Sequence, residues 1–305
     1  MDVKSVDTPR NILMSFAYAG KDKRFADMVL SCAKDDSINL MIDSGAFSAF
    51  NNKGFDFVTL DNYCRFIEKV EDFVEKYVML DVIGNSAKSK ENYRGMLSRG
   101  LNPMFVVTMF DNDSEFVREA VSHNRHVCVA GGATVKNDWL IQRYQRVMRA
   151  CNDEALIHGL AFVTFPRMMQ CRLASVDSSS WHVGASKYGD TGFFDEKGIH
   201  SYNQRKLIAQ VKGGNKFLRN SLDRLRVLPS DIVKPENFRG QTSVALYLRC
   251  RAQMEMQRYV YRRGLRLFLA VSNCVAMNCI RYFIENWDNP SYAGFKSFIL
   301  KGGKQ

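Results

Sequence analysis

The chain has 305 residues, of which 46% are hydrophobic, 25% charged and 12% aromatic, and its formal net charge is +11. That composition is typical of a folded globular protein and excludes a disordered chain, a collagen-like repeat and a small disulfide-stapled scaffold. The length fits one large domain of α/β-barrel size or two smaller domains.

The sequence carries no signal for export or membrane insertion. The N-terminal residues MDVKSVDTPR lack the apolar segment of a signal peptide. No run reaches the roughly 18 apolar residues that a membrane span needs. The eight cysteines form no CxxC pair, which favours reduced thiols. We therefore expect a soluble, cytoplasmic protein with no membrane partner.

The positive charge is concentrated in the last third of the chain. Residues 1–200 carry 24 basic and 26 acidic side chains, whereas residues 201–305 carry 19 basic and 6 acidic ones. A localised basic surface is typical of a protein that binds a polyanion, usually nucleic acid. A solvated basic face without a partner is the main alternative, and a membrane-binding amphipathic helix is a weaker one.

Short apolar runs alternate with amphipathic segments over the first 180 residues. Seven runs have the near-continuous apolarity of buried parallel strands: 12–18, 40–42, 77–83, 103–110, 126–130, 156–162 and 173–176. Segments with helical periodicity lie between them, as at 60–70, 90–98, 114–122 and 138–150. This alternation predicts most of a (β/α)8 TIM barrel.

The eighth strand is expected late in the chain. Residues 181–264 have the pattern of a glycine-rich loop followed by several helices, the last over 244–263. A strand at 265–272 and a helix at 274–287 follow. We therefore predict a single α/β domain over 1–305, a TIM barrel with a basic helical insertion at 201–264 between strands seven and eight.

Reactive groups of a barrel lie at the carboxyl ends of its strands. The residues expected there are Asp43, Ser44, Asp81, Asn85, Gly131, Gly132, His158, Asp177 and Trp181. Each residue type also has an ordinary structural interpretation: the aspartates as helix N-caps, the glycine pair as a tight turn, the histidine as a hydrogen-bonded core residue. Their coincidence at one end of the predicted barrel favours a functional site.

Several chemistries lack their sequence motif. The chain has no HExxH, no zinc-finger cysteine spacing, no GxxxxGKS/T loop and no GxSxG turn. Cys274 and Cys279 have no histidine nearby. We expect neither a metal nor another cofactor. Paired carboxylates remain, acting as general acid/base or as nucleophile, as in glycosyl transfer.

Four motifs follow one another at the ends of the predicted strands: DSGAFS at 43–48, LDVIGN at 80–85, AGG at 130–132 and SVDSSSW at 175–181. The set resembles the tRNA-guanine transglycosylases, which are (β/α)8 barrels with the motif DSGGFQ. It looks closer still to the phage DpdA-type enzymes, which place 7-deazaguanine derivatives in DNA. The resemblance covers about residues 12–190 and the closing strand, and a phage enzyme of this kind would act in the host cytoplasm.

The resemblance implies a role for each matching residue. Asp177 matches the nucleophile that attacks the anomeric carbon and expels guanine, and Asp43 matches the general acid/base. Asp81 matches the carboxylate that binds the base edge, and Gly131 and Gly132 match backbone that contacts the base carbonyl. The expected base-binding set also includes Ser44, Phe47, Asn85 and His158, with Phe47 or Trp181 stacking on a base flipped out of the duplex.

The chain departs from the tRNA enzymes in three places. Ala46 replaces a glycine of the motif, and strand four ends in VVTMFD, so Thr108 or Asn112 would replace the glutamine that reads the base. The CxCxxC…H zinc cluster is missing, and the basic segment stands in its place. The predicted phosphate contacts are Lys212, Lys216, Arg219, Arg251, Arg258 and Arg262, joined by Arg224 and Arg226.

The sequence therefore favours a pentosyltransferase that exchanges guanine in duplex DNA for a free 7-deazaguanine base. It leaves open the same exchange on tRNA and a non-catalytic subunit that binds nucleic acid or a deazapurine. A glycoside hydrolase is a further alternative, although three tryptophans in the whole chain are few for sugar stacking.

Overall fold

The computed structural model describes residues 10–35, 38–108, 114–130, 137–162 and 165–302. The chain divides into two compact units. Among the described residues, the sheet unit contains 11–178 and 264–272, and the helical unit contains Arg10, 179–263 and 273–302. The helical unit includes the predicted insertion at 201–264 and extends beyond it in both directions along the chain.

The sheet unit is built on eight parallel strands. They are β1 Asn11–Ser15, β2 Asn39–Asp43, β3 Lys76–Tyr77, β4 Phe105–Val107, β5 His126–Val129, β6 Leu156–Gly159, β7 Ser175–Ser178 and, after two strands of the helical unit, β10 Arg266–Val271. Their order in the sheet is β3-β2-β1-β10-β7-β6-β5-β4. Every residue of β1 is buried, as expected of a parallel strand covered on both faces.

The two edges of this sheet approach each other. A parallel bridge joins Val78, just after β3, to Met104, just before β4. The Met79 N–H donates to the Met104 carbonyl over 3.0 Å, and the Met104 N–H donates to the Tyr77 carbonyl over 2.8 Å. The sheet is therefore curled as in a TIM-like barrel. The predicted α/β fold with eight parallel strands is confirmed, and so is the late strand at 265–272.

Helices follow most strands of the sheet unit. They are α1 Phe16–Ala19, α2 Lys23–Ala33, α3 Ala46–Asn51, α4 Leu60–Ile67, α5 Ser86–Leu97, α6 Ser114–His123, α7 Asn137–Ala150 and α8 Phe165–Gln170. Polar side chains at several starts accept backbone N–H groups that have no partner within the helix: Asp22 for α2, Thr59 for α4 and Asn85 for α5. The four helices predicted from periodicity are present within a few residues of their expected bounds.

Strand β3 is shorter than predicted, ending at Tyr77 rather than at residue 83. After Met79 the backbone forms hydrogen bonds with side chains of α5 and no longer pairs with a neighbouring strand. The Val82 N–H donates to the Ser89 hydroxyl over 2.8 Å, and the Asn92 amide donates to the Leu80 carbonyl over 3.0 Å. These bonds fix an irregular segment that carries Asp81.

The helical unit contains eight helical segments and one hairpin within its described residues. They are α9 Ser180–Tyr188, β8 Thr191–Asp195, β9 Gly198–Tyr202, α10 Gln204–Lys212, α11 Lys216–Arg224, α12 Pro229–Val233, a 3-10 turn Pro235–Phe238, α13 Val244–Tyr261, α14 Cys274–Glu285 and α15 Tyr292–Gly302. No helix in the described ranges is both long and apolar enough to cross a bilayer.

The antiparallel hairpin of β8 and β9 corrects the prediction of a glycine-rich loop in this region. Its two strands pair from Thr191–Tyr202 to Asp195–Gly198. The Asp195 carboxylate accepts the Lys197 N–H over 2.8 Å, and Gly198 adopts a φ of 118°, a conformation that favours glycine. The turn at 195–198 therefore connects two paired strands and is not part of a loop.

A tight turn connects β2 to α3 at Gly45. Gly45 has a φ of 79°, and a Cβ added there would lie 2.2 Å from the Ala17 Cβ and 2.7 Å from the Ser15 Oγ. Both the backbone conformation and the close approach of Ser15, at the end of β1, and Ala17, in α1, therefore require glycine. Gly100 has a similar φ of 83°, but a Cβ there would meet no atom within 4 Å.

We predict that Gly45→Ala destabilises the protein by about 3 kcal/mol or more, because it adds steric overlap to an unfavourable left-handed conformation. Gly100→Ala is the matched control and should cost only about 1–2 kcal/mol, the conformational part alone. Urea unfolding of the two variants measures the difference. Equal losses would show that the turn relaxes around the added methyl group.

Candidate active site

Asp43 is the last residue of β2 and pairs with Ser15 of β1. The Gly45 N–H donates to its Oδ2 over 2.9 Å, so the turn itself orients the carboxylate. Helix α3 begins only after Gly45, which occupies the N-cap position. The N-cap interpretation of Asp43 is therefore wrong, and the carboxylate is held at the carboxyl end of the strand.

The surroundings of Asp43 make it a carboxyl that holds its proton unusually tightly. Burial, and then the negative charge of Asp177, raise its pKa to about 6. The Gly45 N–H, the Ser15 hydroxyl and His158 oppose this rise without cancelling it. A carboxyl with such a pKa exists in both protonation states near neutral pH, as general acid/base catalysis requires.

Asp177 lies within β7, opposite Phe268 of β10, and is only 7% exposed. Its Oδ1 accepts the Ala161 N–H over 2.8 Å. Ala161 itself has a φ of 56°, an unfavourable conformation for alanine that directs this N–H to the carboxylate. The N-cap interpretation is wrong here too, since Ser179 occupies the N-cap position of the next helix.

His158 lies beside the same carboxylate oxygen of Asp177. Its Nε2 lies 3.4 Å from the Asp177 Oδ1, and its Nδ1 is 2.8 Å from the Ser175 hydroxyl. The ring also packs edge-on against Phe268, with centroids 6.2 Å apart, and is 1% exposed. These contacts favour a role in orienting Asp177 over the predicted contact with a base.

Asp81 lies on the irregular segment after β3. Burial, together with the negative charge of Asp43, raises its pKa to about 7. The same three carboxylates act on Cys128 of β5, where burial and then Asp43, Asp177 and Asp81 raise the pKa of the thiol. The structure thus brings the three predicted aspartates into one electrostatic cluster and keeps the thiol among them protonated.

The remaining predicted residues divide into three groups. Ser44 is buried, with its Oγ accepting the Ala46 N–H, and Asn85 caps α5.

The two aromatic residues predicted to stack on a base differ in exposure. Phe47 on α3 is 66% exposed, which suits stacking. Trp181 is fully buried, so the prediction that it stacks on a base is wrong. Gly131, Gly132 and Asn112 lie outside the described residues.

The predicted phosphate contacts also differ among themselves. Lys212, Lys216 and Arg219 are exposed, although Arg219 donates to the Val211 carbonyl at the end of α10 over 2.8 Å. Arg251 is buried and paired with Glu255 over 2.9 Å, because its position on α13 faces the interior of the helical unit. It is therefore not an open surface residue, as the predicted phosphate track required.

Sequence reasoning missed Ala161, Ser175 and Cys128. An alanine with a left-handed backbone has no signature in the sequence, and the Ser175 contact depends on the pairing of β6 with β7. Among the described residues, no group of three or more histidine, cysteine, aspartate or glutamate side chains could hold a metal ion.

Comparison of the chain with protein-family models and with curated proteins finds no match in either case. The resemblance to the transglycosylases consequently rests on the four motifs and on the carboxylate geometry described above.

The raised pKa values of Asp43 and Asp81 have a consequence for stability. Both groups bind a proton more tightly in the folded chain than in the unfolded chain, where the pKa is near 3.8. Between about pH 4 and pH 7 the folded state therefore holds more protons, and the free energy of unfolding falls as the pH rises. Above these folded-state pKa values both carboxyls are ionised in the folded protein, and the cost of burying their charges lowers the free energy of unfolding by its full amount.

We predict that Asp43→Asn stabilises the protein at pH 8 by on the order of 1–3 kcal/mol and gives little gain at pH 4.5. The amide oxygen of asparagine can still accept the Gly45 N–H. Urea unfolding at both pH values measures the effect, with Asp56→Asn, at an exposed aspartate, as the control. A variant that is destabilised equally at both pH values would contradict the raised pKa.

Proposed function

We propose that the protein is a DNA-guanine transglycosylase, which exchanges guanine in DNA for a 7-deazaguanine base through a covalent aspartyl–DNA intermediate. The observation that carries the proposal is the pairing of two unlike carboxyls. Asp43 has a pKa of about 6, whereas the Asp177 carboxylate accepts the Ala161 N–H and lies 3.4 Å from the His158 Nε2. Pairs of carboxyls in unlike environments are typical of glycosyl transfer.

The first displacement uses Asp177 as the nucleophile. A carboxylate oxygen forms a bond to C1′ of the deoxyribose as the C1′–N9 bond to guanine breaks. The departing base takes up the proton that Asp43 holds, so guanine leaves as a neutral molecule and Asp43 becomes ionised. The strand is then joined to Asp177.

The second displacement reverses these steps with a different base. The 7-deazaguanine gives its N9 proton to the Asp43 carboxylate, and its N9 attacks C1′. The bond to Asp177 breaks, which restores both carboxyls to their starting states. The exchange balances without a metal, an oxidant or another co-reactant, and it retains the configuration at C1′ because two inversions occur.

Asp81 supports this proposal as the group that binds the base. A carboxyl with a pKa of about 7 can donate as well as accept a hydrogen bond at neutral pH, which suits the mixed donors and acceptors of a guanine edge. The exposed ring of Phe47 would provide a stacking surface for the extruded base. His158 would position the nucleophile instead of the base.

We propose DNA as the substrate because the motifs resemble the phage DpdA-type enzymes and because the segment 201–264 is basic. We propose that the sheet unit is a (β/α)8 barrel of the transglycosylase kind, with the basic segment 201–264 in place of a zinc subdomain. Exposed cations there, such as Lys212 and Lys216, would contact phosphates without reading the sequence.

The proposal predicts base exchange that depends on Asp177. Purified protein is incubated with labelled 7-cyano-7-deazaguanine and either duplex DNA or tRNA, and the released nucleosides are analysed by mass spectrometry. We expect label in deoxynucleosides with wild-type protein and with the control Asp56→Asn, and none with Asp177→Asn. Label in tRNA alone would contradict the choice of DNA, and full activity of Asp177→Asn would contradict the assignment of the nucleophile.

A separate prediction concerns Asp43. Asp43→Asn should lower the rate of exchange by about 10²-fold or more, because neither displacement then has its proton carrier. In the wild-type protein the rate should change with pH around pH 6, and this dependence should disappear in the variant. Measurement of the rate from pH 5 to pH 8 tests both points, and near-normal turnover of the variant would remove Asp43 from the mechanism.

A further inference from the structure

A cavity of about 600 Å³ lies within the helical unit. Its walls come from β8, α11, α13 with its C-cap Arg262, and Trp287, two residues after the end of α14. The charged lining residues are Arg224, Arg251, Arg258, Arg262 and Glu255, and the aromatic ones are Phe194, Phe217, Tyr259 and Trp287. A volume of this size is typical of a small-molecule site.

Among the described residues, the lining carries four arginines and one glutamate. The Glu255 carboxylate accepts from Arg224 and from Arg251, each over 2.9 Å. One carboxylate thus orients two guanidinium groups but offsets only a single positive charge. A concave surface lined by four guanidinium groups favours the binding of an anion.

Arg251 is held rigidly at the back of this cavity. Besides Glu255, it donates to the Trp287 carbonyl over 2.9 Å, and its guanidinium lies 3.6 Å above the centre of the Trp287 ring. Burial lowers the pKa of Arg251, which reflects the cost of keeping this cation away from water. A prearranged guanidinium loses little freedom when it binds a phosphate.

Aromatic rings form the other part of the lining. Phe217 on α11 is 40% exposed, and Phe194 packs edge-on against Tyr259 with centroids 5.3 Å apart. A simple anion does not need aromatic walls. Guanidinium groups beside exposed rings are instead the combination that binds an unstacked nucleotide, with the phosphate on arginine and the base against a ring.

We propose that this cavity binds one unstacked nucleotide, its phosphate contacting the arginines of α11, of α13 and of the C-cap of α13, Arg262, and its base packing against Phe217 and its aromatic neighbours. The nucleotide belongs either to a nucleic-acid strand or to a free nucleoside monophosphate, since both present the same groups. This site lies apart in sequence from the carboxylate cluster, and it does not depend on base exchange for its function.

The test uses the full chain and two kinds of ligand. Binding of thymidine 5′-monophosphate, thymidine and inorganic phosphate is measured by calorimetry, and binding of a fluorescein-labelled ten-residue oligothymidylate by anisotropy at several salt concentrations. Phe217→Ala and Arg262→Gln alter the cavity. Their controls, Tyr188→Ala and Arg205→Gln, alter exposed residues of the same unit outside the lining.

We expect Phe217→Ala to weaken oligonucleotide binding at least about fivefold, the effect of losing one stacked base. Arg262→Gln should reduce the slope of log K against log salt by about 0.7, the effect of one lost contact to a single strand. Both controls should bind as wild type, and all four variants should keep the wild-type circular dichroism spectrum. Binding of the monophosphate that the same two variants weaken would identify a free nucleotide as the source.

The proposal is overturned if neither variant changes the binding of either ligand. It is also overturned if inorganic phosphate binds as tightly as thymidine 5′-monophosphate, because the cavity would then recognise an anion alone. Nucleotide binding is measured without base exchange, so the cavity and the carboxylate mechanism are tested independently. A failed binding test would not contradict the transglycosylase mechanism, and failed base exchange would not contradict the nucleotide site.

Discussion

The burial of three carboxylates at the same end of one parallel sheet is the constraint on which the candidate site depends. Three ionised carboxylates in this position would repel one another and lose hydration. Asp43 and Asp81 respond with pKa values raised to about 6 and about 7. The Asp177 carboxylate accepts the Ala161 N–H, and His158 lies beside it. The proposed mechanism uses this difference in surroundings, with Asp43 as the proton carrier and Asp177 as the nucleophile.

Backbone geometry, more than side-chain packing, sets this arrangement. The pairing of β1 with β2 places Asp43 beside Ser15, and the turn at Gly45 supplies the N–H that orients it. On the other side, the left-handed Ala161 provides the equivalent N–H for Asp177. Each carboxylate is thus oriented by a main-chain donor, which holds it more rigidly than a flexible side chain would.

Much of the fold could be predicted from the sequence because buried parallel strands have continuous apolar runs. The convergence of Asp43, Asp81 and Asp177 was also predictable, since the carboxyl ends of parallel strands share one end of the sheet. The hairpin at 191–202 was not, because its glycines and charged residues resemble a loop. The burial of Arg251 and Trp181 could not be predicted either. Helical spacing shows which residues share a face of the helix, but it does not show which face is buried.

The proposed mechanism requires that Asp177 become covalently attached to the nucleic acid. The most direct test incubates the protein with a guanine-containing duplex in the absence of an incoming base, followed by denaturation, digestion and mass spectrometry of the cross-linked peptide. We expect one deoxyribose-linked strand on Asp177, formed together with an equivalent of free guanine. A strand attached to another residue, or guanine release without any attachment, would contradict it.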